Sequence, residues 1–247
     1  MRLLLTRPEP DNARTAAALR ALGHDVVLAP MLRIEFVDNA DLGPPAFAAV
    51  LLTSANGARA AARHPQLAQL QGLPVLAVGR GTAEAAREAG FGNVTSADGD
   101  ADDLVRLAAN RFADEPRPLL YLGGEDRSRD LAAALAPHGL TVRTVVVYRA
   151  VKADRLPAVA DAALQKRTID GVLHFSRRSA KAYLACSRHA REAALAPSHY
   201  CISAQAAEPL QQPGAGPIRV AAAPDEASLL ALLAAVDMPK PRSNRLE

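Results

Sequence analysis

The sequence predicts an α/β protein built on parallel β-sheets. Short apolar runs recur along the 247 residues, and each is followed by a turn rich in glycine, serine or threonine and then by an alanine-rich segment. Strands that alternate with helices of about ten residues are typical of parallel sheets. Two stretches of roughly 115 to 120 residues also resemble each other, which indicates an internal duplication.

The first half of the chain opens this pattern. Leu3–Leu5 forms an apolar run, the turn Thr6-Arg7-Pro8 follows, and Gly23 ends the helix after it. Gly90 ends a later helix in the same way. Strands are expected at 3–5, 26–28, 50–52, 74–78 and near 94, and helices at 12–22, 58–63, 83–89 and 104–112.

The second half repeats the pattern, with offsets of about 117 to 124 residues. Strands are expected at 119–122, 142–148, 172–175, 200–203 and 218–221, and helices at 129–136, after 176–179 and at 225–236. The duplication predicts two similar small domains. A contiguous division near residue 115 and an exchange of segments between the domains both fit such a repeat. Residues 237–247 are expected to be disordered.

Charge and composition restrict the partners of the protein. Lysine plus arginine number 29 against 26 acidic residues, which gives a net charge of +3 and an isoelectric point near 9.1. No basic run of five residues occurs and tryptophan is absent, so a nucleic-acid platform is disfavoured. Most cations are arginines, whose guanidinium groups match carboxylate or phosphate oxygens. A site for a small polyanion is expected, and a merely solvated basic surface is the alternative.

The sequence lacks the motifs of several kinds of site and segment. Cys186 and Cys201 stand alone, so neither a disulfide framework nor a zinc site is indicated. The N-terminal apolar run is too short for a signal peptide, and no stretch approaches 18 apolar residues, so a cytoplasmic protein that does not bind membranes is expected. Gly79-Arg80-Gly81 begins a dinucleotide fingerprint that Glu84 breaks, which disfavours a nicotinamide-dependent reductase.

Polar turns follow most of the predicted strands. Ligands of parallel sheets bind outside the carboxyl ends of the strands. Helices that begin there offer backbone N–H groups to an anion, although serine, threonine and glycine at such places can also be plain caps. Turns of this kind in both copies favour an anion-binding cleft. They are Thr6-Arg7, Thr53-Ser54, Gly79-Arg80-Gly81-Thr82, Gly123-Gly124, Ser176 and Ser203-Ala204-Gln205.

The order of several short segments is similar to that of one known family. The segments are Leu5-Thr6-Arg7-Pro8, Leu52-Thr53-Ser54-Ala55-Asn56-Gly57, Ala77-Val78-Gly79-Arg80-Gly81-Thr82-Ala83, Gly123-Gly124, Val147-Tyr148-Arg149, Phe175-Ser176 and Pro224-Asp225-Glu226-Ala227-Ser228-Leu229-Leu230. Together they resemble the uroporphyrinogen-III synthase family up to about Val236.

The resemblance implies two flavodoxin-like domains with parallel sheets, joined by a two-stranded β connector. Domain 1 would combine 1–35 with 152–236, and domain 2 would hold 38–147. The family is a lyase of haem biosynthesis that closes the linear tetrapyrrole hydroxymethylbilane, inverts its last ring and releases water. It uses no metal or organic cofactor. A monomer that binds this small molecule, and neither nucleic acid nor membrane, is expected.

The resemblance also assigns site residues. Tyr148 matches the family's tyrosine at the connector and is the expected catalytic residue, with plain packing at a domain junction as the alternative. A Gly-x-x-Thr turn that is frequent in the family is replaced here by Ser203-Ala204-Gln205-Ala206. The competing function is a non-enzymatic two-lobed module that binds or senses a small anion. The expected substrate-binding residues are Thr6, Arg7, Thr53, Ser54, Asn56, Gly79, Arg80, Thr82, Gly123, Gly124, Ser176, Ser179 and Gln205.

Overall fold

The structure, a computed structural model, describes residues 1–44, 46–127 and 129–234. The tail predicted to be disordered, 237–247, lies outside the described residues. The strands are Arg2–Leu5 (β1), Asp25–Leu28 (β2), Leu32–Phe36 (β3), Val50–Leu52 (β4), Val75–Ala77 (β5), Val94–Ser96 (β6), Leu119–Gly124 (β7), Val142–Lys152 (β8), Gly171–His174 (β9), Ser198–Cys201 (β10) and Ile218–Val220 (β11). The α-helices are Asp11–Ala21 (α1), Ala55–Arg63 (α2), Leu67–Leu70 (α3), Arg80–Glu88 (α4), Ala101–Arg111 (α5), Leu131–Leu135 (α6), Ala158–Gln165 (α7), Arg177–Cys186 (α8), Arg191–Leu195 (α9), Ala204–Ala207 (α10) and Glu226–Ala234 (α11).

The strands form two sheets. One sheet has the order β11-β10-β9-β1-β2, and the other has the order β3-β8-β7-β4-β5-β6. All neighbours in the first sheet are parallel, and so are the neighbours from β8 to β6 in the second. The predicted α/β fold with parallel sheets is therefore confirmed.

The chain divides into two compact units. Unit 1 comprises Met1–Arg33 and the described part of Val151–Glu247, and unit 2 is Ile34–Ala150. The boundaries fall inside β3 and inside β8, which are neighbours in the six-stranded sheet. The chain therefore passes between the units within these two strands.

The internal duplication is visible in the order of the strands. By the offsets of the sequence repeat, β1 and β2 correspond to β7 and β8, and β4, β5 and β6 correspond to β9, β10 and β11. The order β11-β10-β9-β1-β2 then matches β6-β5-β4-β7-β8 strand for strand. Each sheet thus unites the first part of one copy with the last part of the other.

Both faces of each sheet are covered by apolar packing. In β1, Leu4 lies in one cluster of buried residues, whereas Leu3 and Leu5 lie in a second cluster on the opposite face. In β4, Leu51 faces one cluster, and Val50 and Leu52 face another. Strands buried on both faces read as continuous apolar runs, which is why these runs predict the central strands.

Strand β3 and helices α3, α7, α9 and α10 were not predicted from the sequence. Strand β3 alternates apolar and charged residues, with Leu32 buried and Arg33 exposed, because it lies at an edge of its sheet. Helix α7 lies among residues for which no element was expected. Its buried residues are Ala160, Ala163 and Leu164. Small side chains of this kind leave a weak hydrophobic signal in the sequence.

A stability test arises at Gly57, where helix α2 meets the sheet. A Cβ atom at Gly57 would lie 2.6 Å from the carbonyl oxygen of Leu122 in β7, so the backbone would have to move. Replacing a helical glycine with alanine ordinarily stabilises a protein by about 0.5–1 kcal/mol. We expect Gly57→Ala instead to lower the free energy of unfolding by about 1–3 kcal/mol, as overpacking does. Urea unfolding measures the difference.

Gly81→Ala is the matched control, because Gly81 also lies in the first turn of a helix, but a Cβ atom there would meet no heavy atom of the described chain within 4 Å. This variant should keep or gain stability. An equal gain in both variants would contradict the close packing of α2 on β7.

Candidate functional site

The predicted site residues lie at the carboxyl ends of strands in both units. The register of β7 and β8 pairs Gly124 with Tyr148, so the end of β7 lies beside that tyrosine. Strands β4 and β5 follow β7 in the sheet, and their polar turns therefore reach the same edge. The residues of this edge in unit 2 are Thr53, Ser54, Asn56, Gly79, Arg80, Thr82, Gly123, Gly124 and Tyr148, and those of the corresponding edge in unit 1 are Thr6, Arg7, Ser176, Ser179 and Gln205.

Helix α4 begins with an open turn that an anion can reach. Its N-cap residue, Gly79, is extended and provides no side-chain cap. No heavy atom of the residues that the structure describes would lie within 4 Å of a Cβ atom at Gly79 or Gly81, so these residues leave the space around the turn open. Arg80 is exposed, and its ion pair with Asp98, at 3.4 Å, is a weak surface contact. The turn can present backbone N–H groups and a guanidinium group to an anion.

Helix α2 begins with two adjacent hydroxyl groups. Ser54 is the N-cap residue, and its Oγ accepts a hydrogen bond from the backbone N–H of Asn56 at 3.2 Å. The side-chain oxygen of Asn56 accepts from Arg59 at 3.0 Å, which keeps that oxygen within the helix. Thr53 precedes Ser54 and is half-buried. The pair of hydroxyls lies where the helix favours negative charge.

A β-bulge sets the direction of Tyr148. The register between β7 and β8 shifts between Gly123 and Gly124, so that Tyr148 rather than Val147 faces Gly124. Val147 and Tyr148 both pack on the same apolar cluster, which breaks the alternation of the strand. A Cβ atom at Gly124 would lie 2.8 Å from the Tyr148 ring. The bulge and the glycine together make room for a half-buried phenol at the sheet edge.

A second tyrosine, Tyr121, was not predicted. Its phenol oxygen lies 2.7 Å from Oγ1 of Thr53, and only 2% of the residue is exposed. Burial raises the pKa of Tyr121, while the hydrogen bond to Thr53 lowers it and the nearby Tyr148 raises it. A Cβ atom at Gly123 would lie 2.9 Å from the Tyr121 ring. Each glycine at the end of β7 therefore accommodates one tyrosine ring.

Arg127 is a second residue near this edge that was not predicted from the sequence. Its guanidinium group donates to the carbonyl oxygen of Gly124 at 2.9 Å, and its charge lowers the pKa of Tyr121. Arginines are frequent along this chain, so only the placement beside Gly124 distinguishes this one.

The structure gives Thr6 a different role from the one predicted. Thr6 is fully buried, and its hydroxyl donates to the carbonyl oxygen of Leu173 at 2.7 Å. This bond joins the ends of β1 and β9. The Thr6 hydroxyl therefore satisfies a buried backbone group.

Arg7 is held by acidic groups of its own unit. It donates to Glu226 at 2.5 Å and to Thr15 at 3.0 Å, lies 3.5 Å from Asp11, and covers the Phe175 ring at 4.7 Å. Thr15 also donates to Glu226 at 2.7 Å. Arg7 thus anchors helix α11 to the end of β1. A substrate carboxylate would have to displace Glu226 to reach it.

The remaining predicted residues of unit 1 lie at two helix starts. Ser176 caps α8 by accepting from the backbone N–H of Ser179 at 3.0 Å, and Ser179, which is buried, donates back to the Ser176 carbonyl oxygen at 2.9 Å. Gln205 is exposed in α10, whose N-cap residue is Ser203. Ser179 is therefore used internally, whereas Gln205 is accessible.

Neither cysteine is exposed at these edges. Cys186 and Cys201 are buried free thiols, and burial raises the pKa of Cys201 to about 12. Within the described ranges, no group of three or more histidine, cysteine, aspartate or glutamate side chains could hold a metal ion. Among those same residues, no helix has the length and apolar character needed to cross a membrane.

Comparisons with known proteins agree on one family. The family model described as uroporphyrinogen-III synthase HemD matches residues 13–231. The crystal structure of uroporphyrinogen-III synthetase from Helicobacter pylori has a TM-score of 0.65 and 21% identity, and the match covers 96% of this chain and 100% of that one. A mutant uroporphyrinogen III synthase from the extremely thermophilic bacterium Thermus thermophilus has a TM-score of 0.54 and 18% identity, with 96% and 98% covered. These structures share the fold. No curated protein sequence matches.

Proposed function

The chain belongs to the uroporphyrinogen-III synthase family, and from this membership we propose that it closes hydroxymethylbilane to uroporphyrinogen III. The reaction inverts ring D and releases one molecule of water, which makes the protein a cyclising lyase of tetrapyrrole biosynthesis. The observation that carries the proposal is the family match over residues 13–231.

The substrate provides most of the chemistry. An electron-rich pyrrole nitrogen expels the terminal hydroxyl and leaves a conjugated cation, which the substituted α-carbon of the last ring attacks to form a spiro intermediate. The bond from that carbon to its original methylene bridge then breaks, and the ring re-closes through its other α-carbon, which loses a proton. The departing hydroxyl needs a proton to leave as water. We assign that proton or hydrogen bond to the phenol of Tyr148; support comes from its half-buried position beside Gly124 at the end of β7. General acid assistance of this kind is worth about 10²- to 10⁴-fold in rate.

The protein's second task is to hold a polycarboxylate in one arrangement. We propose that the turn of Gly79, Arg80 and Thr82 and the hydroxyls of Thr53 and Ser54 bind substrate carboxylates. Support comes from the open first turn of α4 and from the adjacent hydroxyls at the start of α2. Positioning of this kind favours the inverted product over direct closure.

In unit 1 the proposed binding residues are fewer than the sequence analysis expected. Gln205 and the turn of Ser176 are retained, because Gln205 is exposed and Ser176 is half-buried at the start of α8. Thr6 and Arg7 are assigned instead to the support of the unit, since Leu173 and Glu226 already engage them.

We also propose that the two units are the flavodoxin-like domains that the family resemblance implies. The crossing strands β3 and β8 would then form the connector. Support comes from the division of the chain within these two strands and from their pairing in one sheet. A cytoplasmic monomer that binds neither nucleic acid nor a membrane completes the proposal.

The deciding experiment supplies hydroxymethylbilane and separates the product isomers. We expect isomer III as the main product, and isomer I alone in the protein-free control. A non-enzymatic anion-binding module would bind the tetrapyrrole without changing the isomer ratio. Isomer I alone in the presence of the protein would overturn the proposed function.

A further inference from the structure

The hydrogen bond between Tyr121 and Thr53 links the buried strand β7 to the carboxyl-end edge of the sheet, where we propose that the substrate binds. Tyr121 lies in β7 and Thr53 follows β4, the neighbouring strand. The two oxygens are 2.7 Å apart. Tyr121 is 2% exposed, whereas Thr53 is half-buried at the start of α2.

Burial decides which of the two hydroxyls donates. Thr53 Oγ1 is the one hydrogen-bond partner that the described residues offer the Tyr121 phenol. If Thr53 donated, the phenol hydrogen would be left unpaired inside the protein, and a buried unpaired donor is costly. Thr53 is partly exposed, so its own hydrogen can meet solvent or a ligand. Tyr121 therefore donates, and the Thr53 hydrogen points elsewhere.

We propose that Tyr121 is a positioning residue, whose phenol fixes the Thr53 hydroxyl as a hydrogen-bond donor to one carboxylate of the substrate. Ser54 completes the arrangement, because its oxygen accepts from the backbone N–H of Asn56 and its hydrogen is also left to donate. Two adjacent donors at a helix N-terminus fit one carboxylate, which carries only acceptors. Gly123 supports the arrangement by leaving space for the Tyr121 ring.

This inference rests on the proposed function and predicts which kinetic constant changes, KM or kcat. A carboxylate held away from the reacting ring is bound equally in the ground state and the transition state. Loss of such a contact raises KM and leaves kcat unchanged. The expected rise is about tenfold, the lower range for one hydrogen bond to a charged group. Loss of Tyr148 would instead lower kcat.

The experiment compares Tyr121→Phe, Thr53→Val and the double variant by initial rates of isomer III formation at several concentrations of hydroxymethylbilane. We expect each single variant to raise KM about tenfold and to keep kcat within about twofold. The double variant should be no worse than either single variant, because Tyr121 acts only through Thr53.

Tyr183→Phe is the matched control. Tyr183 is a fully buried tyrosine of unit 1 whose phenol donates to the carbonyl oxygen of Ala194 at 2.8 Å. Its loss should lower the urea midpoint as much as the loss of the Tyr121 hydroxyl does, without changing KM.

Three outcomes would overturn the inference: an unchanged KM in Tyr121→Phe, a loss confined to kcat, or additive effects in the double variant. Each would refute the positioning role of Tyr121 while the proposed function stood. The unaltered chain is assayed first. If it forms no isomer III, the proposed function fails, and the inference fails with it.

Discussion

Replacing Tyr148 with phenylalanine should lower kcat for isomer III about a hundredfold, the low end of the range for general acid assistance. The phenylalanine ring keeps the packing of Tyr148 on its apolar cluster and the approach to Gly124, and only the phenol is lost. The departing hydroxyl then leaves without a proton donor. Steady-state rates with product-isomer analysis give the result, and circular dichroism shows whether the fold is kept.

A second variant tests whether the position of the Tyr148 phenol matters, and not only its presence. Gly124→Ala retains Tyr148 but places a Cβ atom 2.8 Å from its ring, so the ring has to move. We expect a loss of kcat in this variant as well. Tyr183→Phe, which lies in unit 1, serves as the control. If Tyr148→Phe had unchanged kinetics, Tyr148 would be a packing residue only.

Acid should destabilise the protein below about pH 6.5 through two buried histidines, since 6.5 is near the pKa of an unperturbed imidazole. His174 and His199 are both fully buried in unit 1, with Nε2 of His174 lying 3.2 Å from Nδ1 of His199. Nε2 of His199 lies 3.2 Å from the carbonyl oxygen of Leu195 and donates to it. His199 Nδ1 is then the acceptor, and Nδ1 of His174 has no partner among the described residues. Both rings are therefore neutral.

The lowered pKa values of the two histidines decide whether stability rises or falls as the pH falls. Burial holds the pKa of His174 well below its ordinary value of 6.5, with a smaller effect of the neighbouring His199, and burial also lowers the pKa of His199. Below about pH 6.5 the unfolded chain binds protons that the folded protein does not. The free energy of unfolding therefore falls as the pH falls, until the folded-state pKa is reached. For His174 alone the loss is about 1.4 kcal/mol for each pH unit.

Urea unfolding at about pH 8, 6.5 and 5, on both sides of the ordinary histidine pKa, measures this slope. The double variant His174→Leu/His199→Leu should flatten it, because neither replacement titrates and both partners of the bond are removed together. His138→Gln is the control, since His138 is exposed and its replacement should leave the slope unchanged. A stability that stays constant across this pH range in the unaltered protein would contradict the neutral pair.

The sequence predicts the central strands well, because burial on both faces makes them continuous apolar runs. Leu3–Leu5 and Val50–Leu52 lie within β1 and β4. The exchange of strands between the two copies could not be read from the repeat, since a contiguous division has the same periodicity. The edge strand β3 was not predicted, because its charged residues interrupt the apolar pattern.

The site is predicted less completely than the fold. Turns of serine, threonine and glycine after strands can be recognised locally, and Thr53 and Gly79 lie where such turns were expected. Tyr121 could not be recognised, because a tyrosine in an apolar strand reads as core and its contact with Thr53 spans 68 residues. The bulge that turns Tyr148 towards Gly124 likewise depends on the pairing of two strands.

The assembly of unit 1 from two distant segments affects how the protein forms on the ribosome. Strand β1 pairs with β9, whose residues are synthesised roughly 10–30 s later at about 5–20 residues per second. Ile34–Ala150 is continuous and emerges complete in that interval. We therefore expect unit 2 to fold first, while β1 can pair with β2 but still lacks its other neighbour, β9. The apolar edge that β1 exposes until β9 arrives is the kind of surface that favours aggregation of a nascent chain.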